Sequence, residues 1–299
     1  MGTQKKHTIR TRRLPRFLKK KIHFSEEAAA LRRKLRDKHL HTVCREAGCP
    51  NIAECFSKPT ATFMILGDMC TRNCRFCGVN HGTPQPPDPD EPRHIGETVA
   101  ELALKHAVIT SVTRDDMEDG GAAHFAETVR CIREHSPETT TEVLIPDFQG
   151  SVSALRTVLA SGVTILNHNV ETVPSLYASV RPEADFRRSL DLIRNTREIT
   201  PGKLTKSGIM VGLGEEKEEL TYVFSELAGA GCDALTIGQY LAPSDANYPT
   251  QRYVEPEEYE TIRQMALAQG IKWVYAGPFV RSSYNAEQLL DKIKESGIE

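Results

Sequence analysis

Between Thr62 and Val79 the chain reads TFMILGDMCTRNCRFCGV, and this stretch constrains the fold more than any other. Cys70, Cys74 and Cys77 stand at C-x3-C-x2-C directly after a run of apolar and β-preferring residues. That order predicts three thiolates on a short loop at the end of a strand. Three soft ligands leave a four-iron cube, or a tetrahedral metal, one ligand short, and an open coordination position is what a reactive metal site needs. A structural zinc loop is the competing reading. It would draw its fourth ligand from His81, although zinc ligand sets usually come as C-x2-C pairs.

Six of the eight cysteines fall between positions 44 and 77. Cys44, Cys49 and Cys55 form C-x4-C-x5-C in a segment where Gly48 and Pro50 break any regular element, which reads as a loop wrapped around a ligand. A second thiolate triad so near the first points to a second cluster; one polynuclear zinc site shared by all six is the alternative. Cys131 and Cys232 lie in helix-like stretches and read as buried and inert. Crowded cysteines without an export signal are metal ligands rather than disulfides, in a reducing compartment such as the cytoplasm. No apolar run approaches the roughly 18 residues that cross a membrane.

The first 23 residues carry many Lys and Arg and no acid. A solvated tail, a transit peptide, a nucleic-acid arm and a docking surface compete for this segment. A net charge of -2 and the lack of a nucleic-acid motif argue against nucleic acid, and scarce Ser argues against a transit peptide.

Downstream, helix and strand signals alternate with short connections. A helix is expected over residues 24–38. Strands are expected at 107–113, 141–146, 163–170, 206–213, 233–241 and 271–277, and helices at 122–134, 151–160, 186–197, 215–229, up to 268, and at the C-terminus. With the opening strand this gives six βα units and a final strand. Near-continuous apolar strands between amphipathic helices predict an α/β fold with a parallel sheet and helices outside. Six units are too few for an eight-fold barrel, so an incomplete one is expected, with its site at the carboxyl ends of the strands.

Polar residues gather at those ends. SVTRDDMEDGGA (111–122) holds Arg114, Asp115, Asp116 and a Gly pair; NHNVE (167–171) interrupts an apolar strand; Lys206 opens the next strand, and GIMVGLGE closes it. Taken together on one rim they favour a ligand site, with Asn and Glu able to hold a ribose and an amino-acid head group. Gly212 and Gly214 do not make a dinucleotide fingerprint, and no Walker loop or Ser/His/Asp elbow is present. The Ser pair beside Arg281 in GPFVRSSYNA reads, from composition, as a cap of the last helix.

These residues also carry a resemblance. The cysteine loop, with Phe76 before its last Cys, is similar to the cluster loop of radical S-adenosylmethionine enzymes. TVCREAGCPNIAEC, SVTRDDMEDGGA, IPDFQG, NHNVETV, QYLAPS and GPFVRSSYNA resemble the lipoyl synthase family within that superfamily, over about Leu14 to Ala286. LPRFLKKKI is similar to the family's mature start.

The resemblance implies a partial (β/α)6 TIM-like barrel over residues 61–270. An N-terminal extension, 1–60, and a C-terminal extension, 271–299, would carry an auxiliary cluster. Two 4Fe-4S clusters are implied. Cys70, Cys74 and Cys77 would hold the one whose open iron takes S-adenosylmethionine. Cys44, Cys49 and Cys55 would hold the auxiliary one, with Ser283 as its fourth ligand and catalytic serine. By position, Phe76, Ser111, Thr113, Asn169, Glu171, Arg188 and the Gly212 region would line the S-adenosylmethionine site.

The reaction implied is radical insertion of sulfur at C6 and C8 of a protein-bound octanoyl-lysine, with the auxiliary cluster as sulfur donor. The substrate would be an octanoylated lipoyl carrier domain, of a 2-oxoacid dehydrogenase E2 subunit or the glycine cleavage H protein, approached by the basic N-terminus. An electron donor such as ferredoxin or flavodoxin is implied too. Phe56 stands where the family usually has Trp, and Asn247 where a His is expected. A biotin-synthase-like enzyme is the nearest rival, and the triad before the radical loop paired with RSSY argues against it. A zinc-stabilised binding protein is the rival from another class.

Overall fold

The computed structural model describes residues 60–283 throughout, with residues 14–19, 33, 35, 36, 38, 40–46, 51 and 52. Most of the expected 24–38 helix, the side chains of Cys44, Cys49 and Cys55, Phe56 and the C-terminal helix lie outside the described residues.

A short strand β1 (His41–Thr42) leads into the turn of helix α1 (Val43–Glu46). The cysteine loop then sits between β2 (Thr60–Ile65) and two short strands, β3 (Met69–Cys70) and β4 (Asn80–His81). From there the chain alternates: α2 (Glu91–Glu101), β5 (His106–Ser111), α3 (Ala122–His135), β6 (Thr140–Leu144), α4 (Val152–Ala160), β7 (Ile165–Asn167), α5 (Tyr177–Val180) and α6 (Phe186–Ile199). It continues with β8 (Leu204–Val211), α7 (Lys217–Gly229), β9 (Ala234–Gln239), α8 (Glu258–Ala268) and β10 (Trp273–Gly277).

The main sheet has the order β1-β2-β5-β6-β7-β8-β9-β10, with β1 antiparallel to β2 and every later pair parallel. It is an open run of parallel strands with helical crossovers, the partial-barrel architecture expected. β10 continues the sheet in register with β9, Trp273 opposite Ala234 through Gly277 opposite Gly238. The strands are buried on both faces because crossovers put helices outside and side chains fill the inside. One apolar core joins β2, β5 and β6 to α2, α3 and α4; a second joins β8 and β9 to α6, α7 and α8.

Two elements depart from the sequence reading. Helix α2 carries the first crossover, although the Pro-rich stretch before it masks its periodicity. Pro92 occupies its first turn, where a missing N–H costs nothing, and Ile95 and Val99 face the core. Glu91 accepts from Leu66 N (2.9 Å) and lies 2.7 Å from His124 Nε2, so the start of α2 clasps the corner after β2. The strand expected at 163–170 is shortened to Ile165–Asn167, and the chain rejoins β8 only through a single parallel bridge, Glu171 to Ile209, where Glu171 takes a left-handed backbone (φ 65°).

Lys206 is not a rim residue. It lies inside the barrel, 2% exposed, with its ammonium 3.0 Å from both oxygens of the fully buried Glu142 carboxylate. Asn167 Nδ2 donates to the same carboxylate at 2.7 Å, and His106 Nε2 lies 3.7 Å away. Burial alone would push the Glu142 carboxyl up, but the Lys206 ammonium outweighs it and holds the value at about 2.

A carboxyl depressed in the folded state adds stability that is present above its ordinary value of 4.5 and is lost as the pH falls toward 2. Lys206→Met should cost about 3–5 kcal/mol in urea unfolding at neutral pH by stranding a buried charge. That variant should gain stability on mild acidification relative to the wild-type protein, and Glu142→Leu added to it should recover most of the loss.

Candidate active site

The parallel pairing of β3 with β4, Met69 opposite Asn80 and Cys70 opposite His81, closes the cysteine loop at its base. Within it Cys77 N donates to Cys74 O (3.0 Å), and Gly82 N donates to Cys70 O (2.9 Å). The loop is tied outward on several sides. Thr71 N and Oγ1 both donate to Thr113 O at 3.0 Å, and Arg75 N donates to Val180 O at 2.8 Å. Tyr248 N donates to Arg75 O at 2.7 Å.

The strongest tie is Arg72, buried at 6% exposure between the first two cysteines. Its guanidinium reaches Asp115 with Nε (2.5 Å) and Nη2 (2.9 Å), and Asp147 with Nη2 (2.6 Å). Asp147 also receives Arg188 Nη1 at 3.1 Å and Gln149 N at 3.1 Å. Burial pushes the Asp147 carboxyl up, but Arg72 overrides this and holds it at about 2. One guanidinium thus fixes the loop to the segments that follow β5 and β6.

All three loop cysteines are free thiols and half-buried. Burial pushes Cys74 up to about 12 and Cys77 up to about 11, so filling the loop with metal has to displace protons. The thiol of Cys70 also accepts from Thr113 N at 3.3 Å. His81, the fourth ligand a zinc loop would use, is exposed on β4. Among the described residues no three Cys, His, Asp or Glu side chains are gathered around a single-ion position.

The other expected residues sort into groups. Ser111 ends β5, with a buried Oγ that has no protein partner. Thr113 is the loop anchor described above. In NHNVE, Asn167 serves the buried Glu142 and His168 is held by Ile145 O (2.9 Å) and Ser189 Oγ (3.0 Å). Burial pulls His168 down to about 4, so it is a neutral core histidine rather than a site base.

Asn169 and Glu171 are the pair left at the mouth. Asn169 Nδ2 donates to Glu171 Oε1 (3.1 Å), while its Oδ1 has no partner. Glu171 lies close enough to Cys74 and Cys77 to raise both thiols, and its own carboxyl is raised by burial despite the Arg181 charge nearby. Arg188 reaches the site only through Asp147. Phe76 packs in an apolar cluster with Val180, Leu213 and Tyr240.

Gly212 sits at φ 94°, and a Cβ there would lie 2.4 Å from Arg252 O, so its backbone is packed as glycine requires. Its N–H is taken by Glu215 Oε1 at 2.7 Å.

Three residues escaped the sequence reading. Arg72 and Arg181 look like ordinary surface charges in sequence; Arg181 Nη1 in fact donates to Asn169 O (3.0 Å) and Val170 O (2.9 Å) from a buried position. Asn247, which stands where a His is expected, donates through Nδ2 to Cys77 O at 2.8 Å and so supports the cysteine loop. The last helix, which the Ser pair would cap, lies outside the described residues; within them Ser282 Oγ accepts from Asn169 Nδ2 at 3.2 Å, and Ser283 follows it at the described limit of the chain.

The described residues fit a cluster on the Cys70–Cys77 loop and a polar ligand beside it. Three free thiols stand on one pinned loop without a disulfide. Beside it, the carboxyl ends of β5 and β7 present polar atoms, Ser111 Oγ and Asn169 Oδ1, that the protein leaves unmatched. Unmatched buried polar atoms cost about 1–3 kcal/mol each, a cost that a bound polar ligand removes.

Comparison with known proteins gives the same picture. A family profile for the radical SAM superfamily matches residues 64–227, and one for the N-terminal domain of lipoyl synthase of the radical SAM family matches residues 2–49. The lipoyl synthase of Alkaliphilus metalliredigens is 52% identical over 284 residues, covering 95% of this chain and 98% of its own. That of Nitratidesulfovibrio vulgaris is 52% identical over 275 residues, 92% of each chain.

Among solved structures, methylornithine synthase (PylB) aligns with a TM-score of 0.52 at 13% identity, over 91% of this chain and 93% of that one. The FeFe-hydrogenase maturase HydG from Carboxydothermus hydrogenoformans aligns at 0.51 and 13% identity, over 91% and 79%. At such identities these two share the fold alone.

Arg72→Met should leave Asp147 with Arg188 and the Gln149 N–H, free Asp115 from the loop, and loosen the loop. After anaerobic reconstitution, the variant should retain about half the iron of the wild-type chain, one cluster's share of two. Full iron retention would show that the loop holds its ligands without the clamp.

Proposed function

Because the chain belongs to the lipoyl synthases of the radical SAM superfamily, we propose that it inserts two sulfur atoms into an octanoyl group carried on a lysine of a lipoyl carrier domain. The bonds made are C–S at C6 and C8, in place of unactivated C–H bonds. The observation that carries this reading is the pinned thiol loop opening onto Asn169, Glu171 and Ser111 at the strand ends.

In this reading Cys70, Cys74 and Cys77 bind the cluster that engages S-adenosylmethionine, and Cys44, Cys49, Cys55 and Ser283 bind the auxiliary one. When bound, S-adenosylmethionine and the clusters would supply the hydrogen abstractor and the sulfur that no side chain can. The chain's own work is to bind, orient and exclude water. Glu171 and Asn169 offer acceptor and donor atoms for the polar ends of S-adenosylmethionine, and Ser111 offers a hydroxyl. Phe76, set in its apolar cluster, gives the loop a dry wall. Thr113 and Arg188 act through the loop anchor and Asp147, as supports of the site rather than contacts.

Ser283 would hold the auxiliary cluster through an alkoxide, a harder donor than thiolate and less well matched to iron, and so would grip it less firmly than a fourth cysteine. The carrier is a 2-oxoacid dehydrogenase E2 domain or the glycine cleavage H protein, and the electron donor a ferredoxin or flavodoxin. The basic first 23 residues dock the carrier. We divide the chain into an auxiliary-cluster extension (1–60), the radical barrel (61–270) and a serine-bearing extension (271–299). Among the described residues no helix is long and apolar enough to cross a membrane, in keeping with a cytoplasmic site of action.

Anaerobic turnover with an octanoylated peptide, dithionite and S-adenosylmethionine tests the activity. Mass spectrometry should show two sulfurs added per peptide. In the same assay Ser283→Cys should stop short of two sulfurs while keeping its iron. An unchanged peptide with the wild-type protein would contradict the activity, and full double insertion by Ser283→Cys would contradict the serine's role.

A further inference from the structure

The segment after β10 turns back across the barrel mouth instead of leaving it. Val280 N donates to Gly277 O at 3.1 Å, closing the turn. Its carbonyl then lies over Gly238 in β9, where an added Cβ would be 2.1 Å from Val280 O. Only a glycine admits the backbone so near. Upstream, Asn51, which lies between Cys49 and Cys55 in sequence, donates to Phe279 O at 2.6 Å. The segment is therefore held between the auxiliary-cluster loop and β9 before it delivers Ser282 to Asn169.

Asn169 is fixed unevenly. Arg181 holds its carbonyl oxygen from below. Its side-chain amide is held by Glu171, two residues on, and by Ser282, which lies 113 positions away in sequence. Glu171 sits on a left-handed backbone bridged to Ile209 of β8, which fixes the main chain of this corner but leaves the Asn169 side-chain amide to be set by its own partners. Ser282 Oγ accepts the Asn169 N–H, which leaves the Ser282 hydroxyl hydrogen free to donate.

We propose that Ser282 is a positioning residue: by accepting from Asn169 Nδ2 it fixes the Asn169–Glu171 pair for S-adenosylmethionine, so that seating of the Ser283-bearing segment and capture of the cofactor are coupled. The inference rests on Asn169 and Glu171 being cofactor-binding residues, as proposed above. Its consequence is order: a chain whose auxiliary-cluster serine is out of place binds S-adenosylmethionine poorly and does not spend it without a sulfur source at hand.

The test is anaerobic equilibrium binding of S-adenosylmethionine to reconstituted protein, with iron measured per chain. Ser282→Val and Ser282→Thr have one shape and differ in the hydroxyl. Ser282→Val should weaken binding about three- to tenfold, the range of one net hydrogen bond, with iron unchanged. Ser282→Thr should bind like the wild type. Asn169→Ala should weaken binding, and adding Ser282→Val to it should weaken it no further.

If Asn169→Ala weakens binding while Ser282→Val does not, the positioning role is wrong and the cofactor site stands. If Asn169→Ala binds like the wild type, the site assignment itself fails. Loss of iron in Ser282→Val, or fully additive losses in the double variant, would assign Ser282 to the cluster segment alone and overturn the coupling.

Discussion

The site depends on one buried guanidinium. Arg72 lies between Cys70 and Cys74 and spans two carboxylates, Asp115 beyond β5 and Asp147 beyond β6. A buried arginine between two acids is costly to desolvate and costly to disrupt, and its planar fork fixes direction as well as distance. Loops leaving adjacent strands are thereby locked to the loop that carries the thiols. Arg188, from helix α6, completes the arrangement at Asp147. The cysteine loop is short and exposed in part, and without this clamp it would be left with individual hydrogen bonds such as those to Thr113, Val180, Tyr248 and Asn247.

Beneath the mouth, the barrel interior solves a different problem. An incomplete ring of parallel strands has an inside that must be filled, and Glu142, Lys206, Asn167 and His106 fill part of it with a polar knot rather than with apolar side chains. The outer helices bury the two apolar cores. Above the knot, β10 extends the sheet and the chain after it folds back across β9, so the last strand both finishes the scaffold and returns a serine pair to the mouth. Scaffold and site share the same residues at Gly238 and Asn169.

Much of this was legible in the sequence, and the exceptions have physical reasons. Strands buried on both faces read as continuous apolar runs, so the seven parallel strands could be counted from residue order alone. Helix α2 was hidden because Pro92 and the prolines before it signal a break, although proline at a first helical turn is also a start signal. NHNVE showed a cluster of polar residues but not their directions: Asn167 and His168 point into structure, and Asn169 and Glu171 into the site. Lys206 carries a charge that composition places outside and that Glu142 draws inside. Ser282 and Asn247 owe their roles to partners 113 and 170 positions away, which no local pattern encodes. The thiols at Cys44, Cys49 and Cys55 rest on their spacing and on the family.

Two cysteine triads in one chain call for two clusters. Anaerobic iron and sulfide analysis of the reconstituted protein, alongside a variant with Cys70, Cys74 and Cys77 replaced by alanine, tests this most directly. Two clusters predict about eight irons per chain, falling to about four in the variant with a brown, sulfide-bearing protein remaining. Colourless protein containing zinc, or iron unchanged by loss of the triad, would contradict it.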